Sequence, residues 1–316
     1  MKRKIVNVGS MIIDFACYAP SLPVAGETTL GDSSKLGPGG KGSNQGTASH
    51  RAGGDVRMVG KIGNDALATI ITEHYIREEM SLAHVTRSEK SDTGVALIEI
   101  DTKTAQNRII VVKGANADLS AADVHEAEAD FADAGVCMTQ LETSLESILE
   151  CKNLAKKHGR IFLMNPAPFQ AIPDGLFDGI DYLTPNETET EFFTGVPVTN
   201  QESAKKAAEK LLTFGVKNVV LTLGENGVYY YNGQEELMIP PPKVTPVDTT
   251  GAGDAFNGGL AVALTEEFPI DVALKFANCV GALSVTKPGS SPSMPTRTEV
   301  EALLTQCYGI KLKIEN

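Results

Sequence analysis

The chain has 316 residues, 42% hydrophobic and 22% charged, the proportions of a globular enzyme with one large core and room for an appendage. Its formal net charge of −12 and pI near 5.0 argue against binding a nucleic-acid backbone and leave room for a local small-anion site. No apolar run reaches the roughly 18 residues of a membrane span, and Cys17, Cys137, Cys151, Cys279 and Cys307 show neither zinc nor disulfide spacing. These features lead us to expect a soluble, cytoplasmic protein with reduced cysteines.

Met1-Lys-Arg-Lys4 reads as the basic flank of a first strand, because Asp14 soon interrupts the apolar run that a leader would need. Lys4 to Val8 is a β-branched run ending at Gly9-Ser10, as in a buried central strand entering a loop. Residues 10–36, broken by Pro20, Pro23, Gly26 and Gly31, suit short antiparallel strands and turns. Gly37 to Gly42 reads as a loop and Ser43 to Ala52 as the helix behind it.

Within that loop, Gly39-Gly-Lys-Gly-Ser-Asn44 combines permissive backbone, a cation and an amide, which suits a polyhydroxy ligand; a flexible turn explains it equally well. Gly37, Gly39 and Gly42 match the dinucleotide fingerprint, but the first strand already ends at Gly9. A phosphate-loop match fails too, with Lys35 at the first glycine position and Gly42 where Ser or Thr is required.

Val56 to Ile62 is a further strand, Ala66 to Met80 a helix, and Val95–Ile100 with Arg108–Val112 a hairpin. The hairpin and residues 10–36 break the βα rhythm. We therefore expect a small β-sheet lid, about 11–36 and 93–113, inserted in one α/β domain spanning 1–316. Beyond residue 114, strands at 134–138, 161–164, 180–183 and 218–223 alternate with helices at 120–130, 144–158, 187–194 and 201–214. That alternation predicts a doubly wound, mostly parallel sheet with ligands at the carboxyl ends of its strands.

Several stretches fall at such ends. Asn165-Pro-Ala-Pro168 follows one strand, and Thr222 to Gly227 ends another. Asn186-Glu-Thr-Glu189 is a capping box, or a pair of side chains near hydrated magnesium on nucleotide phosphates. Gly281 to Ser293 is a small-residue loop after a helix, able to hold a monovalent cation or simply to turn. In Val247 to Leu260, Gly251 and Gly253 permit a tight turn before a helix from about Ala255 to Leu264. Such a start aims unpaired N–H groups and the positive helix end at one spot, which suits a phosphoryl group. Asp254 beside it is either a helix cap or a base that accepts a proton from an attacking hydroxyl.

Taken together, GGKGSNQ at 39–45, QLE at 140–142, NPAP at 165–168, NETE at 186–189, TLGENG at 222–227 and DTTGAGDAF at 248–256 resemble the ribokinase family of carbohydrate kinases, almost end to end. The resemblance implies that Asp254 is the general base and that the turn Gly251, Ala252, Gly253 carries the anion hole, with the amide of Asp254 contributing. It implies a sugar held by Asp14, Gly39, Gly40, Lys41, Asn44 and Glu142, with Ile12 nearby. It places Asn186, Thr222, Gly224, Glu225, Gly227 and Asn278 around ATP, and Asn186 with Glu189 around Mg2+ through water. Asp248, Thr250, Ser284, Lys287, Gly289 and Ser293 match loops that bind an activating K+. The family fold carries a β-lid, and ribokinase lids pair into a homodimer.

One position departs from the pattern. Many ribokinases carry Asn two residues before the sugar-binding Asp, where this chain has Ile12. An apolar side chain cannot pair with a sugar hydroxyl, and an unpaired buried hydroxyl costs about 1–3 kcal/mol. The sugar is therefore ribose or 2-deoxyribose. A nucleoside or sugar-phosphate kinase, and a catalytically silent sugar sensor, are the competing readings.

Overall fold

The computed structural model describes residues 3–104 and 106–312; Met1 and Lys2 of the basic start lie outside them. The larger of two sheets contains β1 (Lys4–Val8), β4 (Asp55–Ile62), β5 (Ser81–Arg87), β8 (Ala134–Thr139), β9 (Ile161–Met164), β10 (Tyr182–Leu183), β11 (Asn218–Thr222), β12 (Val228–Tyr231) and β13 (Glu236–Ile239). Its spatial order is β13-β12-β11-β10-β9-β8-β1-β4-β5, parallel from β11 to β5, with β12 and β13 antiparallel at one edge. The smaller sheet has the order β3-β2-β6-β7, from β2 (Ile12–Ala19), β3 (Ser33–Gly39), β6 (Gly94–Asp101) and β7 (Asn107–Val112).

Neighbouring residues of β1 feed different cores: Ile5 joins one apolar cluster and Val6 the other. The first cluster is closed by α1 (Lys41–Arg51), α2 (Ala66–Arg77), α8 (Ala252–Thr265), α9 (Ile270–Ser284) and α10 (Arg297–Tyr308). The second is closed by α3 (Ala121–His125), α4 (Glu128–Asp133), α5 (Leu145–Lys157), α6 (Glu187–Thr194) and α7 (Gln201–Leu212). A parallel strand buried on both faces needs an apolar residue at every position, as KIVNV nearly supplies. The chain leaves β1 toward β4 and β5, then returns to β8 and proceeds the other way. The switch point thus lies between β1 and β8, where doubly wound sheets open a crevice.

Several sequence expectations need correction. Gly37 to Gly39 close β3, and Lys41 with Gly42 already belong to α1, so the turn is Gly40 alone, at φ 90°. A Cβ at Gly40 would meet the Ser10 carbonyl and the Ile12 nitrogen at 3.0 Å, which leaves room only for glycine. The helix expected to reach Met80 stops at Arg77; Glu79 takes φ 56°, and the half-buried edge strand β5 follows without a clear period. The helix expected over 120–130 is two short ones, α3 capped by Ser120 and then α4. Gly281 to Ser284 still belong to α9 rather than to the following loop. The β12–β13 hairpin was not anticipated, although Asn232-Gly233 between an aromatic and an aliphatic run is a hairpin signal. Within the small sheet, β2 and β6 pair in parallel, Ile12 opposite Gly94.

Candidate active site

The helix that carries Asp254 begins at Ala252, three residues before the sequence suggests, so Gly253 and Asp254 lie in its first turn and Gly251 alone is the turn. Gly251 caps α8 at φ 78°, and a Cβ there would lie 3.3 Å from Ser290. The first helical hydrogen bond runs from the Ala255 amide to the Gly251 carbonyl at 2.8 Å, so the amides of residues 252–254 precede it. That of Ala252 is turned back onto the Thr249 carbonyl at 3.2 Å, which leaves Gly253 and Asp254 to present theirs.

Asp254 is 6% exposed, and a side-chain amide donates to each carboxylate oxygen: Asn44 Nδ2 to Oδ2 and Gln45 Nε2 to Oδ1, both at 3.0 Å. Both amides come from α1, which lies so close to α8 that a Cβ on Gly258 would fall 2.6 Å from the Ala48 Cβ. Small residues at this helix crossing are what bring the amides within reach of the carboxylate.

Asp254, Gly251, Ala252 and Gly253 line a cleft of about 1090 Å3 at the carboxyl ends of the strands. The same cleft is lined by Asn186, Glu189, Thr222, Gly224, Glu225 and Gly227, by Asn278 of α9, and by Lys41 of α1. Asn186 and Thr222 bridge neighbouring strand ends. Asn186 also caps α6: its Oδ1 accepts the Glu189 amide at 2.8 Å, while Glu189 Oε2 accepts the Asn186 amide at 2.9 Å. The capping box is therefore present, and the same two residues face the cleft.

Asp14, Asn44 and Glu142 lie behind Lys41 and Asp254, outside that cleft but tied to it. Ser290 Oγ donates to Asp14 Oδ2 at 3.0 Å, Ser291 Oγ to Asn44 Oδ1 at 2.7 Å, and both Ser10 Oγ and the Lys41 amide to Glu142 Oε2. Gly39 lies against the Asp14 carboxylate so closely that a Cβ there would overlap it. Ile12, 4% exposed, shares the Asp14 side of β2, two residues away.

Three carboxylates thus surround one cation, and a fourth, Asp14, faces two of them. Burial works against the Lys41 ammonium, but Asp254, Glu142 and Glu189 outweigh it and hold its pKa above the ordinary value. Burial pushes the Asp14 carboxyl up to about 6, with Glu142 and Asp254 adding to the shift and Ser290 opposing it. Burial also raises Glu189, against the Asn186 amide and Lys41.

The loop residues meet in part. Asp248 accepts from the Thr250 amide and the Gly289 amide, both at 2.9 Å; burial opposes ionisation there, but these donors hold the carboxyl below the usual range. Ser284 and Ser293 bond to carbonyls within their own turns. The Lys287 side chain points elsewhere, donating to Glu299 of α10 at 2.8 Å, so only its backbone remains beside the loop. Among the described residues no three His, Cys, Asp or Glu side chains are grouped to hold a metal, and no helix is long and apolar enough to cross a membrane.

Sequence reasoning missed the supporting residues. Gln45 and Gln140 stood inside quoted motifs without a role, Ser290 and Ser291 inside a loop. Asn7 carried the clearest signal, as the one amide in a buried β-branched strand.

Comparison with known proteins identifies the family and the fold. The model of the pfkB carbohydrate kinase family matches residues 2–297. A Haemophilus influenzae ribokinase is 37% identical over 299 residues, 95% of this chain and 97% of that one. A Salmonella typhi deoxyribokinase is 33% identical over 293 residues, 92% of this chain and 95% of that one. The structure of Arabidopsis thaliana ribokinase complexed with ribose and ATP matches at a TM-score of 0.88 and 32% identity, over 96% of this chain and 99% of that one.

Proposed function

The chain belongs to the pfkB family of carbohydrate kinases, and from that premise we propose that it transfers the γ-phosphoryl group of ATP to O5 of D-ribose. The observation that carries this reading is a carboxylate clamped through both oxygens at the start of α8, beside two free-standing amides. Asp254 takes the proton of the attacking hydroxyl; the O5–P bond forms as the bond from phosphorus to the β–γ bridging oxygen breaks, and ADP leaves with that electron pair. The amides of Gly253 and Asp254, and the start of the helix, stabilise the equatorial phosphoryl oxygens. Asp14, Gly39, Gly40, Lys41, Asn44 and Glu142 hold the sugar; Asn186, Thr222, Gly224, Glu225, Gly227 and Asn278 line the ATP side.

The donor sets fit the two ions. Asn186 and Glu189 are committed to each other as a cap, which suits a hydrated Mg2+ carried by the nucleotide phosphates better than direct ligation. Mg2+ would neutralise phosphate charge. Asp248, ionised and braced by two neutral amides, with the Val285 carbonyl accepting from its own amide at 3.2 Å, suits K+. The small sheet acts as a lid over the sugar, with the rest of the chain as one domain. Across that sheet Leu36, Phe15, Leu97 and Ile110 stand in register and exposed, an apolar row that a second copy would cover in a homodimer. We assign the enzyme to the cytoplasm.

The second reading is a 2-deoxyribose kinase, favoured by the buried apolar Ile12 on the Asp14 side of β2. ADP release with ribose, 2-deoxyribose, fructose 6-phosphate and adenosine, with and without potassium, separates the two sugars and the remaining alternatives. Asp254→Asn should lower kcat by roughly 10²–10⁴-fold with sugar binding kept; near-full turnover in that variant removes the base from the scheme.

A further inference from the structure

The clamp on Asp254 continues into the protein as a row of buried amides that no substrate can touch. Asn7 Nδ2 donates to the Gly42 carbonyl at 2.7 Å. Gln140 Nε2 donates to Asn7 Oδ1 at 3.1 Å and to Gln45 Oε1 at 2.8 Å. Gln45 Nε2 donates to Asp254 Oδ1 at 3.0 Å and to Asn165 Oδ1 at 3.2 Å. Asn7, Gln45 and Gln140 are at most 1% exposed.

The direction of donation in this row is forced. The Gly42 carbonyl at one end can only accept, so Asn7 must turn its NH2 toward it and its oxygen toward Gln140. The ionised carboxylate at the other end can only accept too, so Gln45 must turn its NH2 toward Asp254 and its oxygen toward Gln140. Two acceptors therefore meet at Gln140, which satisfies both by spending both Nε2 hydrogens. Its own oxygen is left over: Gln140 Oε1 is buried without a partner, pressed toward Gly9. A buried orphan acceptor is unfavourable, and here it is the direct consequence of having an acceptor at each end.

We propose that Gln140 is a positioning residue for phosphoryl transfer: acting through Gln45, it sets the plane of the Asp254 carboxylate so that one lone pair faces the sugar hydroxyl. The proposal rests on Asp254 being the base. Asn44, its oxygen occupied by Ser291, fixes the other carboxylate oxygen, so loss of the Gln45 bond frees the plane to turn.

Two substitutions test it. Gln140→Met keeps the length of the side chain and removes both donations; Gln140→Glu keeps the shape and sets a carboxylate against two acceptor oxygens. The measurements are kcat from ADP release between pH 5 and 9, the KM for ribose, calorimetric ribose binding and Tm. For Gln140→Met we expect kcat to fall roughly 10- to 100-fold with the ribose KM within about threefold of the parent. The loss falls on turnover and not on binding because Gln45, without Gln140 to hold its oxygen, no longer fixes the carboxylate to which it donates. For Gln140→Glu, activity should recover toward acid pH, where the introduced carboxyl regains a proton to donate.

A merely structural role would lower kcat in step with Tm and give no recovery of Gln140→Glu toward acid pH, and that result overturns the proposal. Ribose binding establishes that a variant is folded; should Gln140→Met fail to fold, Gln45→Met must show the same kcat loss with ribose binding kept. If Asp254→Asn collapses kcat while both Gln140 variants turn over normally, only the positioning role falls. If Asp254→Asn stays active, the base reading falls and takes this proposal with it.

Discussion

Acidification below about pH 6 should release the sugar. The Asp14 carboxyl, ordinarily near 3.8, is pushed up to about 6, first by burial and then by Glu142 and Asp254, against the Ser290 hydroxyl that donates to it at 3.0 Å. If the sugar hydroxyls donate to the ionised form alone, the apparent dissociation constant grows by about 1.1-fold at pH 7 and about 11-fold at pH 5, a loss of roughly 1.4 kcal/mol. Stability of the sugar-free protein changes in the same pH window with the opposite sense. The folded carboxyl holds its proton more tightly than the unfolded one, so stability falls as pH rises from about 4 to about 6. The deficit, at most about 3 kcal/mol, is complete above that. Asp14→Asn, which can still accept from Ser290, should thus raise the Tm of the sugar-free protein above pH 7 while weakening ribose binding. Ser290→Ala removes the opposing donor and should move the binding limb to higher pH. Calorimetric titration with ribose from pH 5 to 8 reads the binding effects, and a thermal scan without sugar reads the Tm. A dissociation constant flat across that range, or a Ser290→Ala limb displaced downward, refutes the reasoning.

Ile12→Asn should shift the ratio of kcat/KM toward ribose over 2-deoxyribose by roughly 10-fold or more, since a hydrogen bond to a hydroxyl is worth about 1–3 kcal/mol when its loss strands a partner; an unchanged ratio rules out contact at C2. Gly258→Ala sets a methyl 2.6 Å from the Ala48 Cβ and 2.8 Å from the Gln45 carbonyl. Overpacking of this kind costs about 1–3 kcal/mol, and because Gln45 moves with α1, kcat should drop with Tm; an active, stable variant would show that the crossing is slack. Arg297 forks onto Glu266 at 2.8 and 2.9 Å, reaches Glu301 at 2.6 Å and lies 5.0 Å over the Phe276 ring. Arg297→Lys cannot reproduce that geometry; we expect a lower Tm by thermal scan with kcat at 25 °C unchanged, and an altered kcat would tie this corner to the site.

The parallel half of the fold was readable because the strands from β8 to β11 are short apolar runs with helices between all but β9 and β10, and period and length agree. The small sheet was readable for the opposite reason, as the place where that rhythm fails. Edges were less visible: β5 is half-buried and lacks a period, and β12–β13 sits where a helix would continue the pattern. Chemistry-bearing residues in loops could be picked out by their type and spacing. What could not be seen was the work of the neutral amides, because Gln45 and Gln140 matter through which end of each amide faces which neighbour, a property of the packed core. The Ala252 amide shows the same limit; the turn it belongs to closes on Thr249, and only the folded backbone reveals that one member of the expected anion hole is spoken for.

Every residue of α8 from Asp254 to Leu264 is buried between its neighbours, and glycines at 258 and 259 let α1 and α9 press against it from two sides. A helix walled in like this has nowhere to go. We expect whatever rearrangement a catalytic cycle requires to fall on the four-stranded sheet with its exposed face. The half of the site that performs chemistry would keep the order of a crystal while the half that chooses the sugar does the travelling.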